Sequence, residues 1–211
     1  MRSYAAFAFV LALFASPAPA GAQSGPAPHS VAVLDVALYT AGANLQEASD
    51  TGHAALATSV LRGKLSELLG SALADSAAVE ARAHGPEVHA VAGGKPCNVI
   101  VACARAVGRA VDADWVVMAK VSKTSNLIWL LTGQLIDVAT GEIVLDDSTE
   151  LKGDPEPMIR AGVRIFAERV ARTVKERSAG ERAERMGRLA RERVLRDFGW
   201  PASFRLLDAL L

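Results

Sequence analysis

The chain has 211 residues, half of them apolar, and its Lys+Arg and Asp+Glu totals balance at 23 each. That length allows one ordinary domain with an appendage and a sizeable core, and the balanced charge argues against a dedicated nucleic-acid binder. The balance hides an asymmetry: residues 1–150 carry 9 basic and 14 acidic side chains, residues 151–211 carry 14 basic and 9 acidic.

Residues 1–22 begin with Arg2, run through AAFAFVLALFA and end at the small-residue stretch Ala20-Gly21-Ala22. A charged start, a short apolar centre and a small-x-small end make a cleaved secretory signal peptide. The apolar run is too short to cross about 30 Å of hydrocarbon. No Cys lies near the cleavage point, so no lipid anchor is expected, and the mature chain starts near Gln23 in a bacterial periplasm or outside the cell. Residues 23–30, QSGPAPHS, read as a flexible leader.

Residues 30–39, SVAVLDVALY, are apolar on both faces, as the strands of helix-covered sheets are. After a polar loop over 41–52, residues 53–70 carry Ala57, Leu61, Leu65, Leu68 and Leu69 on one helical face, with Gly70 as the stop. Residues 79–83 (VEARA) are predicted as a short second strand, and 84–96 as a Gly/Pro loop. Asn98 is the expected cap of a helix over 99–111. The centre of the chain follows: strands over 114–121 and 127–138, the turn Ala139-Thr140-Gly141, and a third strand over 142–146. Its β-branched and aromatic residues (Trp115, Val116, Val117, Val121, Ile128, Trp129, Ile136) suit a largely buried pleated surface. Pro155 then opens a helix in which Ile159, Val163, Phe166, Val170 and Val174 recur at helical spacing. Gly180 is predicted to interrupt it before a charged helix over 181–198, and Gly199-Trp200-Pro201 to turn the chain into a last apolar segment over 204–211.

These elements predict an α+β fold, an α/β sandwich. Its mixed sheet of about five strands in the order β-α-β-α-β-β-β-α is covered by helices over residues 31–178, with an Arg-rich helical extension over 179–211. For the extension two readings stand. It packs back on the core through Trp200, Phe204, Leu207 and Leu210, or it is an amphipathic arm offering Arg182, Arg185, Arg188, Arg191, Trp200 and Phe204 to a partner or a membrane surface.

Little chemistry is legible. Cys97 and Cys103 form an even pair suited to an oxidising compartment, and a structural disulfide is expected, with two buried thiols as the alternative. Six residues apart on one helix is about 9 Å of rise, so the bridge requires Cys97 to lie before the helix. CxxxxxC is not the spacing of thiol–disulfide catalysts. His84, His89 and Glu87 share one loop but lack a fixed fourth metal ligand, and neither a nucleophile elbow nor a phosphate loop occurs. Asp35 is the odd carboxylate within an apolar strand, expected at an exposed edge or a strand end unless it is an acid in a cleft.

The ordered pieces Val31–Val36, Cys97–Cys103, Gly108–Val116, Lys120–Ile128 and Asp137–Glu142 resemble a family of uncharacterised bacterial proteins, predicted to be periplasmic and known only as a domain of unknown function. More distantly the layout is similar to the N-terminal domain of TolB and the periplasmic domains of CsgG and LpoB. The resemblance covers about residues 31–174, and it implies a non-catalytic module that binds other envelope proteins. The Cys pair is more widely spaced than in that family, and the Arg-rich end looks like an extension. Some relatives are encoded near quinoprotein alcohol-oxidation genes. The expectation is an exported, non-enzymatic interaction or adaptor module, a monomer or weak oligomer, without cofactor, metal or nucleic acid. The alternative is a periplasmic small-ligand or cofactor binder, accessory to a periplasmic oxidation system, in which the loop over 84–96 closes on a pocket.

Overall fold

The computed structural model describes residues 30–40, 47–93 and 100–198. The signal peptide, most of the leader, Cys97, Asn98, Trp200 and Phe204 lie outside them.

One mixed sheet organises the body. β3 (Trp115–Lys123), β4 (Ile128–Asp137) and β5 (Ile143–Lys152) form an antiparallel meander, and β1 (Val31–Val33) and β2 (Ala37–Thr40) pair in parallel with β3 on its other side. Val33 stands opposite Val117 and Ala37 opposite Lys120, so four steps on one strand face three on its neighbour. β1 and β2 are therefore one strand broken by a one-residue bulge, and Asp35 sits in the break.

Alternation along β3 decides what lies on each face. Trp115, Val117, Ala119 and Val121 face α1 (Asp50–Leu69) and the first half of α5 (Pro155–Phe198). Val116 and Met118 face α2 (Ser76–Ala83), α3 (Pro86–Ala92) and α4 (Val101–Ala110) through Val79, Val88, Ala92, Cys103 and Val107. The result is the expected α+β sandwich, with the sheet between two helical layers. At Gly133 of β4 the ring of Phe166 from α5 comes so close that a Cβ would collide with it.

Four local expectations are corrected. Residues 79–83 are not a strand but the end of α2. Ala, Glu and Arg favour helix, and the Asp75 carboxylate caps it by accepting from the Ala78 N–H at 2.9 Å. The chain touches the β1 edge earlier, in a single bridge between Leu73 and Val31. The predicted Gly/Pro loop holds α3, with Pro86 in its first turn, Gly93 left-handed at its end, and Val88 and Ala92 buried. α4 starts at Val101 with Ile100 at the N-cap, two residues later than expected; Asn98, the expected cap, lies outside the described residues. Gly180 does not interrupt α5, which runs unbroken for 44 residues, about 66 Å.

The turn between β4 and β5 has the form its residues suggested. Gly141 takes a left-handed backbone at φ +81°, Asp137 Oδ1 accepts from the Thr140 N–H at 2.7 Å, and Thr140 Oγ1 accepts from the Glu142 N–H at 3.1 Å. Arg105 of α4 fastens the turn to the body by donating to the carbonyls of Val138 (3.0 Å) and Ala139 (2.7 Å). The recognisable DVATGE stretch is thus a structural device.

Candidate functional site

α5 changes character part-way along. Ile159, Val163, Phe166, Val170 and Val174 are buried against the sheet and α1, whereas every side chain from 179 to 196 is exposed. Arg182, Arg185, Arg188 and Arg191 all stand on this projecting arm. Within it, Arg188 lies 3.8 Å from Glu184, and Arg182 donates to the Ser178 carbonyl at 3.1 Å. Residues 179–198 hold six Arg against four acids, and Met186, Leu189, Val194 and Leu195 are exposed among them. Phe204 and Trp200, the aromatic members of the expected contact, lie outside the described residues.

The bulge builds a second feature. Asp35 Oδ1 meets Arg62 Nη2 at 2.8 Å, the Val36 N–H donates to Thr58 Oγ1 at 2.9 Å, and these residues line a cleft of about 550 Å³ with Ala55 and Ser59. A bulge leaves backbone groups unpaired, and here the side chains of α1 satisfy them. Asp35 is half-exposed and held by a guanidinium, an arrangement that serves the fold and leaves no free acid for a reaction.

A buried ionic cluster ties β3 to the start of α1. Lys123 Nζ donates to Glu47 Oε1 at 3.0 Å and to both oxygens of Asp50 at 3.2 Å, with the Trp129 ring 5.7 Å away. Burial works against the ammonium, but hydrogen bonds to Glu47 and Asp50 and the charges of both outweigh it, so the pKa of Lys123 is raised above the usual 10.5. His53 packs edge-on against Trp129 with ring centroids 5.0 Å apart. No local pattern signals this cluster, because Lys123 lies 73 residues from Asp50.

A second concavity, of about 500 Å³, gathers Arg109, Asp112, Asp114, Asp137 and Glu181 where α5 leaves the body. Among the described residues no group of three or more His, Cys, Asp or Glu side chains is arranged to hold a metal. His84 and His89 are exposed on separate helical ends. The loop proposed to close over a ligand is helical over Pro86–Ala92 and is fixed in the core. Cys103 is buried, the third residue of α4, while the pairing expected for it reaches Cys97, outside the described residues. No described helix is long and apolar enough to cross a membrane.

Residues 29–170 match the DUF3280 family, described as "Protein of unknown function (DUF2380)". The chain belongs to that family. The match ends inside α5, before the exposed arm begins. No curated protein matches the chain. Among solved structures it is similar to LpoB of E. coli, solved by NMR, at 18% identity over 72% of this chain and 84% of that one, with a TM-score of 0.42. It is also similar to the LpoB C-terminal domain from Salmonella enterica (21% identity, 62% and 87% covered, TM-score 0.40). Lipoprotein GNA1162 from Neisseria meningitidis is a third (16% identity, 68% and 97% covered, TM-score 0.39). LpoB, expected as a distant likeness, is thus among the structures this chain is similar to.

Proposed function

We propose that this chain is exported to the bacterial periplasm, its signal peptide removed near Ala22, and acts there as a non-enzymatic interaction module. The body, residues 31–178, is a rigid platform, and the extension, residues 179–211, is the contact for an envelope protein. The observation that carries this reading is the exposure of every side chain from 179 to 196 on a continuous helix. An isolated helix of this length is marginal in water, and its stability normally comes from packing one face. An exposed helix that holds Arg182, Arg185, Arg188 and Arg191 together with Met186, Leu189 and Val194 suits a protein surface that is acidic and partly apolar. Cys97 and Cys103 form a structural disulfide in this compartment, and the unreduced mature protein should weigh two hydrogens less than its dithiol form.

The test is co-purification from periplasmic extract with the full chain and with a chain ending at Ser178. Loss of a specific partner on truncation is the expected outcome. Retention of every partner would remove the arm from the contact.

A further inference from the structure

The two edges of the sheet are not alike. At the β1 edge the backbone is taken: the Ala74 N–H donates to the Val31 carbonyl at 2.9 Å, Thr58 accepts from Val36, and Arg62 reaches the Val33 carbonyl at 3.5 Å. At the β5 edge it is open. Gly153 donates to the Leu127 carbonyl at 3.2 Å, one step beyond the pair Ile128–Lys152, so the odd-numbered residues 145–151 turn their N–H and C=O groups toward β4. Asp146, Ser148, Glu150 and Lys152 turn theirs outward, all four are exposed, and no hydrogen bond to those outward groups occurs among the described residues. A ten-residue edge strand with an unpaired ladder is a template for another strand.

The geometry points to a second copy of this chain as the occupant, with β5 paired antiparallel to its counterpart about a two-fold axis at Thr149. In that register Asp146 stands opposite Lys152 of the other copy, twice by symmetry, and Ser148 stands opposite Glu150. Centring the axis on Ser148 instead would set Asp146 against Glu150, like charge against like. Lys152 already lies 3.4 Å from Glu150 within one chain, and the dimer places it between two carboxylates.

The helix above the edge independently marks the same axis. Arg169 of α5 reaches Asp147 at 2.7 Å, and Gly162 lies against Leu151. These two contacts bracket Ile165, which stands level with Thr149 on the flank that carries Arg169 one turn later. Ile165 is 50% exposed, and Met158, two turns earlier on that flank, is 36% exposed. Across the axis each Ile165 meets its own copy, so the pairing joins a β ladder to a small apolar contact. The arm plays no part in this surface.

Sedimentation of the mature full-length chain over a concentration series tests the proposal, with circular dichroism confirming that each variant folds. The wild type should form a concentration-dependent dimer, and so should a chain ending at Ser178, which keeps this test separate from that of the arm. Asp146→Lys or Lys152→Asp alone should weaken the dimer by about tenfold by setting like charges opposite each other. The two together should restore it. Ser148→Pro, which removes one outward N–H, should abolish it. A wild type that stays monomeric at several hundred micromolar would overturn the proposal, as would a double charge swap no better than either single one. Exchange protection of the β5 amides that appears only with another protein present would assign the edge to that protein and overturn it equally.

Discussion

The two halves of α5 are one helix made for two different reasons. From Pro155 to Val174 the stripe Ile159, Val163, Phe166, Val170 and Val174 recurs every three or four positions and is buried against β4, β5 and α1, so packing holds the helix. Beyond Ser178 the same helix continues with its side chains exposed as far as 196, in a run rich in helix-forming Arg, Glu, Ala and Leu. Continuity of backbone is therefore no guide to continuity of role. The first half belongs to the fold, and the second is surface from end to end.

The sharpest way to break this contrast is to disturb the contact that docks the first half on the sheet. Phe166→Ala empties a site filled against Gly133 and should cost about 3–5 kcal/mol in denaturant unfolding. Gly133→Ala attacks the same contact from the other side by overpacking, and should cost about 1–3 kcal/mol because a Cβ would collide with the Phe166 ring. A loss below about 0.5 kcal/mol for Phe166→Ala would show that α5 is not docked as described.

The Lys123 cluster sharpens the comparison through pH. A lysine whose pKa is raised on folding contributes stability that is complete below its unfolded value near 10.5 and is lost as pH rises through the folded value. Thermal unfolding should therefore show a decline above pH 10.5 that Lys123→Met flattens, while also lowering stability at neutral pH. Truncation at Ser178 should leave the decline unchanged, since the arm does not touch the cluster. Persistence of the same decline in Lys123→Met would assign it to other groups.

The smallest effect belongs to the arm. Gly180→Ala should raise helicity by far-ultraviolet dichroism yet shift global stability by less than about 0.5 kcal/mol, because the arm unfolds independently of the body. A shift above 1 kcal/mol would mean that the two halves are coupled.

The contrast also shows what a sequence displays and what it conceals. The meander was legible because β-branched residues and the Asp-Val-Ala-Thr-Gly-Glu turn state strand and reversal locally. The packed half of α5 was legible because its stripe has one period. The strand misplaced at 79–83 is a short run of Val, Ala, Glu and Arg in which one buried residue, Val79, cannot establish a period. α3 was hidden because Pro86 and Gly93, read as loop formers, are its first turn and its stop. The continuity through Gly180 escaped because one glycine costs a helix only about 1 kcal/mol, within what its neighbours can supply. Of the candidate surfaces, the Arg positions could be read directly, but the bulge at Asp35, the Lys123 cluster and the open β5 edge depend on partners far away in sequence.

Amide hydrogen exchange along α5 in the isolated protein tests the central claim most directly. Protection should approach that of global unfolding through Val174 and fall to almost none over residues 179–198. Uniform protection to Phe198 would mean that the arm is packed against the protein's own body, and the reading of it as a free contact surface would be wrong.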